Sequence, residues 1–305
     1  MKPSVRESID VLGIGAVSVD FLGTTDRWPS AGEKQRMQSF SVQDGGLVGT
    51  ALVTVARLGG TGSFVGELGF SEMADRAVRA LGEEGVDTSL VLRTRGCEPC
   101  ISVVLSVTGE GQRTIFSSQS GVKFPPPESW ADLEWFHNAK VLLIDHVAGQ
   151  AGIEAAKVAR KHGVKVIIDA ERNTESVAEA LWNSDHIVVP HDFASSYTGM
   201  KDMKSMLENL RNSDHQTVIV TCGSEGCSGL AGDNIFHIPA YEVQAVDTTG
   251  CGDVFHGAYA LMVARGQPVV ESARIASAAA ALSATRVGGR SGIPTLDEVN
   301  RLAFR

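Results

Sequence analysis

The chain has 305 residues, enough for one large α/β domain or two ordinary ones, and its 43% hydrophobic share is that of a globular protein. Against 27 Lys and Arg stand 36 Asp and Glu, and the net charge of −9 argues against a nucleic-acid partner, which demands a basic face. Residues Met1–Ser8 contain no apolar signal core and no run of ~18 apolar residues occurs, so neither membrane association nor export is expected and the location is read as cytoplasmic.

In chain order, Val11–Val19 is a continuous apolar run and reads as one buried strand. Residues 24–43 then carry Pro29, Gly32 and a polar alternating pattern that breaks any regular βαβ unit. A helix is expected over 46–58, with Leu47, Ala51, Val55 and Leu58 on one stripe, followed by a strand at 63–68 and a helix at 71–84. Residues 88–117 form a second β-rich island with a hairpin turn at Thr108–Gly111. Two insertions, approximately 22–43 and 88–118, are thus expected to build one small sheet beside the main domain. After the Pro125-Pro126-Pro127 connector the pattern becomes regular: strands at 141–145, 164–169, 186–189 and 217–221, with helices at 150–162 and 175–182. Helices at 251–265 and 269–286 close the series, the second containing the small-residue run Ala276–Ala281. Strands alternating with helices imply a doubly wound parallel sheet covered on both faces, here as a single domain spanning 1–305.

Five cysteines in such a chain read as reduced thiols. Cys97 and Cys100 form a C-x-x-C and Cys222 and Cys227 a second close pair, but neither has a His at zinc-site spacing. Gly13-Ile14-Gly15-Ala16-Val17-Ser18 is an incomplete G-x-G-x-x-G; a dinucleotide turn needs a helix at once, and here the apolar run continues through Leu22.

Chemistry concentrates in Val246–Gly257, where a polar, glycine-punctuated turn runs into an apolar helix. Gly250 and Gly252 flank Cys251, so the backbone can approach a ligand closely and the amides of a helix N-terminus would face an anion. Asp253 in the first turn has two readings, a partner for the helix dipole or a base placed where phosphate binds.

Asp247-Thr248-Thr249-Gly250-Cys251-Gly252-Asp253 resembles the D-T-x-G-A-G-D signature of the PfkB, or ribokinase-like, family of sugar and nucleoside kinases, with Cys251 in the usual alanine position. The resemblance extends over nearly the whole chain and implies a doubly wound α/β domain with a β lid, ATP and Mg²⁺ as co-substrate and cofactor, and a small-molecule sugar as acceptor. It implies that Asp253 is the base and that Gly250, Cys251 and Gly252 form the anion turn. Asp20, Gly45 and Gly46 fall where relatives hold sugar hydroxyls, and Thr50 stands where many have a sugar-contacting Asn. Lys34 and Arg113 are cations expected on the lid. Thr221-Cys222-Gly223-Ser224-Glu225-Gly226 resembles the family's T-x-G-x-x-G nucleotide segment, which implies nucleotide contacts from Thr221, Gly223 and Gly226, with Ser277 and Ala281 facing adenine. Asp247, Thr249 and the 284–291 loop resemble the monovalent-cation site, K⁺ in some members.

One departure concerns the metal. The family's N-x-x-E is replaced by Pro190-His191-Asp192-Phe193-Ala194, which leaves the Mg²⁺-organising residues unassigned. The runs Asp253–Ala258 and Gly288–Pro294 look most like the sulfofructose kinase and ketohexokinase-like branch, although the cations expected of a sulfonate reader are incomplete. The expectation is a kinase acting on a primary hydroxyl of a ketose or furanose. The alternatives are a sulfofructose kinase, a nucleoside kinase and a catalytically silent sugar-binding member. Pairing of lid strands between copies predicts a homodimer.

Overall fold

The computed structural model describes residues 8–108, 113–126, 134–213 and 216–305. Two sheets organise the chain. The larger is built from β1 (Ile9–Ile14), β4 (Gly62–Leu68), β5 (Val91–Arg93), β8 (Ala139–Asp145), β9 (Lys165–Asp169), β10 (His186–Pro190), β11 (Thr217–Thr221), β12 (Cys227–Ala231) and β13 (Asn234–Ile238). Its order is β13-β12-β11-β10-β9-β8-β1-β4-β5, parallel except for the antiparallel hairpin edge β12–β13. The smaller contains β2 (Ser18–Thr25), β3 (Ser39–Gly45), β6 (Cys100–Val107) and β7 (Arg113–Ser118), in the order β3-β2-β6-β7.

The apolar run at 11–19 is two strands, not one. Asp145 at the end of β8 accepts hydrogen bonds from the amides of Ala16, Val147 and Ala148 at 2.6, 2.9 and 3.0 Å, which turns the chain out of the large sheet after Ile14. A Cβ on Gly15 would lie 2.4 Å from Asp145 Oδ2, so only glycine fits at the bend. Hydropathy could not register that break, because both strands are apolar. Val91–Arg93, expected within the second insertion, pairs instead with β4 at the edge of the large sheet, and the small sheet takes residues from Cys100 onward. The expected hairpin turn at Thr108–Gly111 falls largely outside the described residues.

Helices cover both faces of the large sheet. On one lie α1 (Leu47–Arg57), α2 (Glu72–Glu83), α8 (Cys251–Ala264), α9 (Val269–Ser283) and α10 (Leu296–Ala303), packed in a core with Val11, Phe64, Leu143 and Val188. On the other lie α4 (Gly149–Lys161), α5 (Val177–Trp182), α6 (His191–Thr198) and α7 (Met203–Leu210), packed on Leu12, Ile144, Ile168 and Val189. The short α3 (Glu134–Asn138) precedes β8. Consecutive strand residues therefore feed alternate cores, which explains their near-continuous apolar sequences. No helix among the described residues is long and apolar enough to cross a membrane.

Candidate active site

The turn before α8 adopts the conformation that its glycines permit. Gly250 caps the helix with φ 75°, a left-handed geometry unfavourable for other residues, and a Cβ there would approach Gly289 O to 2.7 Å. Gly252 faces open space on the cleft side. The amides of Gly250 and Gly252 have no acceptor among the described residues, whereas that of Cys251 donates to Thr248 O at 3.3 Å. Two free amides, rather than the three expected, are therefore available to an anion at a helix N-terminus.

Thr221, Gly223, Gly226, Ser277 and Ala281 line one cavity of about 490 Å³ together with Cys251 and Gly252. They are distant in sequence and converge because β11 ends at Thr221, a 3-10 turn covers Gly223–Glu225, and α9 packs along α8 beside it. Gly226 has φ 91°, and a Cβ there would sit 2.0 Å from Ile238 O, so the close hairpin requires glycine. Tyr241 and Phe255 supply aromatic walls that sequence reading did not single out. Asp253 lies just inside the turn, half-buried. Burial raises its carboxyl well above the usual range, Asp169, Glu171 and Asp145 raise it further, and Arg290 opposes them.

Asp20, Gly45 and Gly46 meet on the other side of Arg290. Asp20 projects from β2 onto the face of the small sheet that also carries Ser18 and Ser102, and Ser18 Oγ donates to its Oδ2 at 3.1 Å. Its carboxyl is raised by burial, with hydrogen bonds from Ser102 and Ser18 and the charge of Arg290 opposing. A Cβ on Gly45 would lie 2.3 Å from Asp20 Oδ2, and one on Gly46, at φ 91°, would lie 2.5 Å from Ala16 O. The glycine pair thus lets the start of α1 close against β2.

Arg290 escaped the sequence reading, where a lone cation inside a glycine run was the available signal. It is 9% exposed, donates from Nη2 to Gly45 O at 2.7 Å and from Nε to Thr50 Oγ1 at 3.4 Å, and its charge acts on both Asp20 and Asp253. Thr50 is 1% exposed and turned to Arg290, so its hydroxyl supports that guanidinium and does not line the cleft as expected. Lys34 is exposed on the β2–β3 connection, and Arg113 opens β7 opposite Ser106.

Asp247 Oδ1 accepts from the amide and hydroxyl of Thr249 at 2.9 and 2.7 Å, and Oδ2 accepts from Gly288 N at 2.8 Å. These residues therefore tie the anion turn to the 284–291 loop. Among the described residues no group of three His, Cys, Asp or Glu is arranged to hold a metal, the cysteine pairs included.

Comparison with solved structures finds the same fold. A putative ribokinase from Agrobacterium tumefaciens superposes with a TM-score of 0.86 at 28% identity over 96% of each chain. Arabidopsis thaliana ribokinase complexed with ribose and ATP gives 0.85 at 25% identity, covering 98% of this chain and 99% of that one. Among curated proteins, Bacillus subtilis ribokinase is 26% identical over 299 residues, 95% of this chain and 97% of the relative. Rice fructokinase-1 is 27% identical over 321 aligned positions, 96% of this chain and 97% of the relative. Fold, cleft and similarity define an ATP-dependent carbohydrate kinase. The pfkB family carbohydrate kinase model matches residues 8–296, and the chain belongs to that family.

Proposed function

We propose that the protein transfers the γ-phosphoryl of MgATP to a primary hydroxyl of a small sugar, a ketose, furanose or close derivative, with Asp253 as general base. The observation that carries this reading is the convergence of the glycine hairpin, the small-residue face of α9 and the anion turn on one cavity, with Asp253 in the first turn of α8 next to the lining residue Gly252. ATP enters that cavity with adenine beside Ser277 and Ala281 and its phosphates toward Gly252. The acceptor lies toward Asp20, Gly45 and Gly46, and its hydroxyl gives its proton to Asp253 as the oxygen attacks in line. The amides of Gly250 and Gly252 stabilise charge on the transferring phosphoryl. Arg290 holds the Gly45 carbonyl and sets the field between the two carboxylates.

The adjoining cavity of about 640 Å³ is lined by Glu171, Asp192 and Glu225 and contains no lysine or arginine. A triphosphate settles beside three carboxylates only with its charge screened. With no cluster arranged as a metal cage among the described residues, this environment fits Mg²⁺ carried by the phosphates and water. Bound there, Mg²⁺ would supply charge neutralisation to the transferring phosphates.

The decisive test is coupled ATP consumption across ketoses, pentoses, sulfosugars and nucleosides. A ketose or pentose is expected to give the highest kcat/KM. A nucleoside or sulfosugar in first place would move the acceptor assignment, and sugar binding without ATP turnover across the panel would overturn the kinase reading.

The small sheet also supports a homodimer. Cross-strand register places Phe21, Phe40, Val103 and Phe116 on the face opposite Asp20, with Phe40 and Phe116 each 61% exposed. Burying that face against a second copy removes apolar surface from water. Sedimentation should show a dimer, and Phe116→Glu should shift it to monomer; a wild-type monomer at micromolar concentration rules the dimer out.

A further inference from the structure

Behind the anion turn, two buried groups face each other that the chemistry above does not use. His256 lies one helical turn beyond Asp253 on α8, and Asp169 ends β9. His256 Nε2 is 3.0 Å from Val188 O; its Nδ1 is 2.8 Å from Gly252 O and 3.3 Å from Asp169 Oδ2. A carbonyl oxygen only accepts, so Nε2 carries a hydrogen. Nδ1 lies equally within reach of a carbonyl, Gly252 O, so it too carries a hydrogen, and the ring is an imidazolium opposite an ionised Asp169. The pair therefore holds one proton more than a neutral imidazole facing a carboxylate, and its net charge is zero.

No other group among the described residues balances Asp169. Its Oδ1 is the one buried side-chain nitrogen or oxygen without a hydrogen-bond partner among the described residues. An isolated carboxylate there would be strongly disfavoured. Burial raises the Asp169 carboxyl well above its ordinary range, which opposes its ionisation; burial also lowers the His256 imidazole, and the hydrogen bonds to Val188 O and Gly252 O oppose that shift by holding the ring protonated.

The consequence falls on Asp253. It is faced by Asp169 and Glu171 from the end of β9, by Asp145 from the end of β8, and by Arg290 from the C-terminal loop. His256 is faced by Asp169, Glu171 and Asp145. We propose that Asp169 and His256 are positioning residues for Asp253, a buried one-proton pair that cancels the Asp169 charge and, through the Gly252 carbonyl, fixes the peptide joining Gly252 to Asp253. This rests on Asp253 being the base.

The experiment is the pH dependence of kcat in His256→Ala, Asp169→Asn and the double variant. His256→Ala strands Asp169 as a second acid competing with Asp253 for ionisation, so the acid limb should move up by about one pH unit or more. Asp169→Asn removes the charge and should leave the limb in place, and the double variant should return it to the wild-type position. A purely structural role would lower kcat without this displacement and return. An unmoved limb in His256→Ala, or a double variant displaced as far as the single one, overturns the proposal.

Ring-nitrogen NMR of the wild-type enzyme gives a test independent of whether the variants fold. His256 should show no titration step between about pH 6 and about pH 9, and a step in that window overturns the pair. Wild-type turnover in Asp253→Asn would defeat the base assignment instead, leaving the NMR result to judge the pair by itself.

Discussion

Asp253→Asn should lower kcat by a factor of order 10² or more, about 2.7 kcal/mol of transition-state stabilisation, while ATP affinity measured by calorimetry stays within a few-fold of wild type. The amide keeps the shape of the carboxylate but cannot take the hydroxyl proton, and the cavity proposed for the nucleotide is lined by Gly252 and Cys251 rather than by Asp253. The same substitution should leave the protein as stable or more so. Because the folded-state pKa of Asp253 is raised above its unfolded value, its contribution to stability is complete below the ordinary carboxylate range and is lost as pH rises through the folded pKa. At high pH the ionised base is therefore a cost to the fold, which Asn removes. Activity has the opposite dependence, falling as pH drops through that pKa, since only the carboxylate accepts a proton. Turnover near wild type would dismiss Asp253 as the base, and lost activity with a collapsed melting temperature would reassign it to structure.

The parts of the site legible in sequence are those whose chemistry is local. Gly250–Asp253 is a turn, a helix start and a carboxylate within four residues, and Thr221–Gly226 a strand end with two glycines; both adopt the conformations their glycines require. Helices 46–58 and 71–84 were visible because their apolar positions recur at helical spacing, and the structure places them at Leu47–Arg57 and Glu72–Glu83. What escaped depends on residues distant in the chain. Arg290 reaches Gly45 and Thr50 across more than two hundred residues, and no local pattern distinguishes it from a surface cation. Nothing local pairs Asp169 with His256, which meet only because β9 and α8 are brought side by side. Thr50 was assigned to the cleft by its place after the glycine pair, but the helical turn carries its hydroxyl toward Arg290. The α6–α7 pair and the hairpin edge β12–β13 lay in stretches where polar residues obscured the periodicity.

The division of residues 11–19 between two sheets makes Asp145 the fold's most exacting polar position, and Asp145→Ala carries the largest stability effect expected here. Its carboxylate is 1% exposed and accepts from three backbone amides, one at Ala16 where the chain leaves the large sheet and two at Val147 and Ala148 just before α4. Burial raises this carboxyl to about 6 despite those three donors, so desolvation outweighs their pull. Alanine removes the acceptor and leaves buried donors unsatisfied, at about 1–3 kcal/mol each, for a total of about 3 kcal/mol or more and a fall in Tm of roughly 5 °C or more. Asp145→Asn keeps one acceptor oxygen but must turn an NH₂ toward at least one amide, so its loss should be intermediate. The functional effect should be unequal between substrates. Asp20 and Gly45 are placed by β2, whose exit from the large sheet Asp145 fixes, whereas the nucleotide cavity is built from β11, α8 and α9. Asp145→Asn should therefore raise KM for the sugar more than KM for ATP. Unfolding melts and paired KM measurements check both parts, and an alanine variant as stable as wild type would show that the Ala16 turn holds without the carboxylate.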